Sequence, residues 1–189
     1  MLTATYSLLA IRFEQKNAFG LLARIRHYLY STQHGKECVD QSILVAMIGQ
    51  LQHFELYLHA RKIEQHVIPV LCCATDEADS LLEELAMLSF SARRSLSSLQ
   101  HYLHWGPGGG NHSPFFSAAQ QYCDSVFQRL VKEDESLMPL VGELLTREDW
   151  FALGARFLTE DGEKYMSRCD VPLSVRPSAA LSGESTTTH

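Results

Sequence analysis

Apolar residues recur at the three- and four-residue spacing of a helix along almost the whole chain, and period-two alternation is scarce. Leu8, Ile11, Leu22, Ile25 and Leu29 mark a first helix over about Ser7 to Ser31, weakest at Gly20. Gly35 then turns the chain. Ile43, Leu44, Met47, Ile48, Leu51, Phe54 and Leu58 mark a second helix, started near Val39 by Asp40 or Ser42. It is expected to stop near Ile68, because Pro69 drives the residue before it out of the α region. A third helix opens in the acidic stretch TDEADS and runs from Asp76 to His104 on a leucine stripe. A fourth covers about Pro114 to Leu137 and ends near Pro139, with a short continuation to Leu145. Thr146 and Asp149 have the spacing of a capping box, which starts a short fifth helix to about Leu158. Four long helices with short to medium connections predict an all-α, antiparallel up-down four-helix bundle over residues 1–168. Residues 169–189, with the run VPLSVRPSAALSGESTTTH, cannot offset the entropy of their own ordering and are expected to form a flexible tail.

One phrase is written twice. LHARKIEQHVIPVL, from Leu58, and RLVKEDESLMPLV, from Arg129, align at an offset of seventy residues. The match pairs Lys62 with Lys132, Glu64 with Asp134 and Pro69 with Pro139. His59 stands at the head of the first copy and Arg129 at the head of the second. Two αα-hairpins with equivalent second members would produce such an echo.

Composition narrows the function classes. The chain has 189 residues, 46% hydrophobic and 20% charged, with a net charge of −6. No basic block invites nucleic acid by counterion release. No apolar run approaches the roughly 20 residues of a membrane span, and the start lacks the basic region of a signal peptide. A cytoplasmic setting is the expectation. The cysteines are odd in number and include no C-x-x-C, although Cys72 and Cys73 are adjacent. The stretch WGPGGGNHSP lacks the pattern of a phosphate loop and reads as a plain connection. His101 with His104, Glu55 with His59, and Asp79 with Glu83 have ligand spacing, which is also the spacing of any helix face. No serine, histidine and acid set stands out, so no enzymatic activity is expected.

The doubled phrase, with EDW after its second copy, resembles the hemerythrin-like family of cation-binding helical proteins. IRFEQKNAFGLL, from Ile11, is similar to that family's opening, and LLEELAML, from Leu81, to its third helix; the likeness spans about residues 8 to 158. The resemblance implies a bundle in which histidines and two bridging carboxylates hold a pair of irons. Carried over to this chain, its metal positions fall at Gln15, His59, Ile63, Leu85, Arg129 and Asp134. Leucine and isoleucine offer no lone pair, and arginine is a permanent cation without an acceptor. The resemblance therefore implies a lost metal site and no cofactor. A polar network of Gln15, His59, Glu64, Arg129, Glu133 and Asp134 is expected in its place. The implied role is a binding or regulatory module for a protein or small molecule, with a homodimer as one form. The alternative is an iron protein for oxygen or iron handling that uses His59, Glu64, Glu133 and Asp134.

Overall fold

The computed structural model describes residues 2–35, 39–105 and 112–169. Among them every regular element is helical and there is no strand. The helices are α1 (Leu2–His34), α2 (Gln41–His59), α3 (Ile68–Ala74), α4 (Asp79–Trp105), α5 (Ser113–Lys132), α6 (Met138–Leu144) and α7 (Arg147–Cys169). A wide, π-helical turn at Ile63–Val67 leads into α3, and a second at Glu133–Leu137 joins α5 to α6. A single tight turn, Asp76–Ala78, opens α4. No helix of the described residues is long and apolar enough to cross a membrane.

The helix starts follow the capping chemistry written in the chain. The Asp40 carboxylate accepts from the backbone N–H of Ile43 at 3.0 Å, and the Thr75 hydroxyl accepts from Glu77 at 3.1 Å. Thr146 and Asp149 close the expected box: Asp149 N donates to Thr146 Oγ1 at 3.2 Å, and Thr146 N to Asp149 Oδ2 at 2.9 Å. Two helices are longer than expected. α1 begins at Leu2, and α7 runs to Cys169 rather than stopping near Leu158, so it is no short appendage. Leu153 and Phe157 pack with Ile11, and that tertiary burial carries α7 along α1. Except for Cys169, the expected tail lies outside the described residues, as do Gly106 to Asn111 of the expected connection.

Neither proline stops its helix. In each π turn one N–H reaches back five residues, Ile68 to Ile63 and Met138 to Glu133. Pro69 and Pro139 then follow in the first turn of α3 and α6, where the missing N–H is tolerated and the widened backbone relieves the clash with the preceding turn. The first copy has a further break that the second lacks. The chain turns at Ala60 and Arg61 before the π turn begins, whereas α5 runs unbroken into its own.

The buried apolar residues fall into two groups. One is built from Ala18, Leu22, Met47, Leu51, Leu58, Ala92, Leu99, Phe115 and Leu130, among others. The other contains Ile11, Ile63, Val67, Leu85, Leu137, Val141 and Phe157. Between the two groups, in chain order, α1, the turn after α2, α4 and the π turn after α5 each carry a buried polar residue: Gln15, Arg61, Ser89 and Glu133. α4 makes its most extensive contact with α5, while α1 packs against α5, α7 and α2, and α2 also meets α4.

Candidate functional site

The break at Ala60 and Arg61 determines which side chain of the first copy enters the interior. In a continuous α-helix His59 and Ile63 would share a face and Arg61 would point away. The turn changes that phase and swings Arg61 inward, where its Nε donates to the carbonyl of Leu58 at 3.2 Å. Its Nη1 donates to Gln15 Oε1 at 2.7 Å and to Glu133 Oε2 at 2.8 Å, while Nη2 donates to Glu133 Oε1 at 3.0 Å. Arg61 is 1% exposed and Glu133 0%, so this two-pronged pair is fully removed from water. The Gln15 amide nitrogen donates to the carbonyl of Leu130 at 2.9 Å, which ties α1 to the end of α5.

Arg129 is the second guanidinium of the cluster. It pairs with Glu64, and its Nε lies 3.0 Å from Glu133 Oε1 without the alignment of a hydrogen bond, so that contact is ionic. Burial presses the Arg129 guanidinium below its ordinary value; the charge of Glu133 opposes this and that of Arg61 adds to it. Two cations, Arg61 and Arg129, thus face two anions, Glu133 and Glu64, and the cluster is neutral. The desolvation of such a group nearly cancels its attraction, and removing one member strands the others. Both oxygens of Glu133 are already held by a guanidinium, so it is no ready base.

A second set lies beside the first π turn. Lys62 Nζ donates to Asp161 at 2.8 Å on α7, and its backbone N–H donates to Glu14 at 2.7 Å on α1. Burial works against this ammonium, but the hydrogen bond to Asp161 and the charges of Glu14 and Asp161 outweigh it and hold its pKa above the usual value. Tyr6 donates to Asp161 at 2.6 Å, and that bond raises the phenol's pKa. His66 pairs with Glu160 and its ring lies against Phe157. These contacts fasten α7 to the rest.

Of the expected network, Gln15, Glu64, Arg129 and Glu133 come together. His59 and Asp134 do not join it. His59 lies at the surface, its side chain 41% exposed, 3.2 Å from Glu55. Glu55 in turn accepts from the buried Tyr122 hydroxyl at 2.9 Å, and burial, with Glu55 next, drives that phenol's pKa far upward. Asp134 is exposed, and the inward carboxylate of the second copy is Glu133. Ile63 and Leu85 are buried in the second apolar group and bring only hydrocarbon. Arg61 was missed because an unbroken helical phase was assumed through Ala60. The signal that could have found it is electrostatic: Glu133 needs a buried cation. The adjacent Cys72 and Cys73 are exposed on α3, while burial pushes the Cys123 thiol up to about 12.

Iron requires free imidazole and carboxylate donors around an open position. Here His59 faces the surface, Glu64 and Glu133 are engaged by guanidinium groups, and Asp134 is exposed. Among the described residues no group of three or more His, Cys, Asp or Glu is placed to hold a metal ion. A pair of irons does not fit beside two guanidinium cations.

No protein-family model, curated protein or solved structure matches the chain.

Proposed function

We propose that the chain is a hemerythrin-like, antiparallel four-helix bundle that carries its own ion network where the family holds a di-iron centre, and that it acts as a non-enzymatic binding or regulatory module. The observation that carries this reading is the Arg61 guanidinium, gripping both oxygens of Glu133 and the Gln15 amide in a fully buried position. The order of apolar residues along the chain supports the up-down arrangement. α1 passes from Ile11 through Gln15 to Ala18, and α4 from Leu85 through Ser89 to Ala92, each from the second apolar group to the first. The second chain segment runs from Leu58 through Arg61 to Ile63, and α5 from Leu130 to Glu133 and Leu137, in the opposite sense. With ion pairs filling the centre, a protein or small-molecule partner in the cytoplasm would dock on an outer groove. Two candidates are a groove of about 840 Å³ along α4 and α5, and one of about 700 Å³ along α1 and α2.

The test is anaerobic loading of the purified protein with ferrous iron, followed by elemental analysis and melting before and after chelation. The expected outcome is iron far below one equivalent and an unchanged Tm. Near-stoichiometric iron with a raised Tm overturns the reading, because a metal that binds only the folded state must stabilise it.

A further inference from the structure

Two surface features of this chain match each other. The first is the groove along α4 and α5. Met87, Leu88 and Phe127 give it an apolar floor, and Glu83 and Glu135 stand on its rim, where Lys132 pairs with Glu84. Among the described residues neither Glu83 nor Glu135 takes part in an ion pair. The second lies on α1, where Leu9, Arg12, Phe13 and Lys16 fall at i, i+3, i+4 and i+7 and form one stripe. All four side chains are exposed, Phe13 to 67%. Among the described residues Arg12 and Lys16 take part in no ion pair.

The stripe therefore offers two large apolar side chains flanked by unspent cations. The groove offers an apolar floor flanked by unspent anions. Their lengths also agree: seven helical residues separate Leu9 from Lys16 and Ser80 from Met87, about 10 Å in each case. We propose that the α1 stripe of one copy docks in the α4/α5 groove of a second copy. A foreign helix would need the same chemistry, and this chain already carries it. Because the two faces differ, each contact joins a stripe to a groove. Two copies close as a two-fold dimer where each stripe enters the other's groove, and run on to chains or rings where only one does. This inference does not rest on the hemerythrin-like reading, since both faces lie outside the central network.

Sedimentation velocity over a concentration series, at low and high salt, tests it. Wild-type average mass should climb above that of a monomer with concentration and fall back with salt, which screens exposed charge. Glu83→Lys/Glu135→Lys makes the groove basic, and Arg12→Glu/Lys16→Glu makes the stripe acidic. Each double variant, its helicity verified by circular dichroism, should sediment as a monomer. An equimolar mixture of the two should associate again, because each variant's groove then meets the other's oppositely charged stripe. A wild-type mass that stays that of a monomer across the series overturns the proposal. So does assembly of the separate variants, or a mixture that stays monomeric. Binding of a synthetic basic amphipathic helix by an otherwise monomeric wild type would also overturn it, assigning the groove to a foreign partner.

Discussion

The two π turns share a backbone and differ in chemistry. Each widens the helix over five residues, each is followed by a proline, and they lie seventy residues apart. Yet Ile63 stands in register with Glu133, and Val131 with Arg61. At these inward positions the first half supplies a cation, Arg61, and the second an anion, Glu133, which also has Arg129 of its own half beside it. The two-pronged pair of Arg61 and Glu133 is what the halves make only together.

The largest test of that complementarity is Glu133→Leu. It leaves Arg61 and Arg129 with Glu64 as their shared anion, and breaking a buried pair of this kind costs about 3–5 kcal/mol. Urea unfolding measures it. Arg61→Leu should cost less, because Glu133 keeps Arg129. The double variant Arg61→Leu/Glu133→Leu should lose clearly less than the two single losses added together. Strict additivity would show that the halves do not depend on each other.

The lysines sharpen the comparison. Lys62 and Lys132 are equivalent in sequence, but their side chains are 5% and 36% exposed. Lys62→Met should cost about 2 kcal/mol, the scale of a hydrogen bond to a charged group. Lys132→Met, which touches a surface pair with Glu84, should cost less than about 1 kcal/mol. The Lys62 contribution also has a pH signature. Its folded pKa lies above the ordinary 10.5, so its stabilisation is complete below that value and disappears as pH rises through the folded value. The stability gap between wild type and Lys62→Met should therefore close only in strong alkali.

The smallest effect lies outside both halves, at the caps. The Ser42 hydroxyl and the Ile43 N–H hold Asp40 below 3.8, and the Thr146 hydroxyl and N–H do the same for Asp149. These caps contribute above pH 3.8 and fail as pH falls through the lowered values. Melting of Asp40→Asn/Asp149→Asn should therefore show a shallower loss of Tm on acidification than wild type. An identical acid slope would remove the caps from the account.

Much of the helical layout was legible because its signals are local. The leucine stripe of α4, the cap at Asp40 and the box at Thr146 each depend on residues within a turn or two of one another. The prolines misled because their usual meaning assumes α geometry, and the wide turn before each one removes the conflict. α7 ran past its pattern because its support comes from α1. At the centre, Gln15, Glu64, Arg129 and Glu133 were legible as polar residues at inward positions. Arg61 was not, because two residues of turn at Ala60 and Arg61 rotate everything after them, and no local propensity announces that rotation. His59 precedes that turn and meets solvent because Leu51, Phe54 and Leu58 take the buried face of α2.

The buried set of Gln15, Arg61 and Glu133 also acts as a notch. Hydrocarbon surfaces can slide past one another by a turn and still be covered, so they set alignment loosely. Slip α1, the Arg61 turn or the Glu133 turn by that distance and an amide, guanidinium or carboxylate is left facing methyl groups, a far dearer error than a misplaced leucine. The set therefore rejects every stagger but one, and it does so whatever it contributes to the depth of the native minimum.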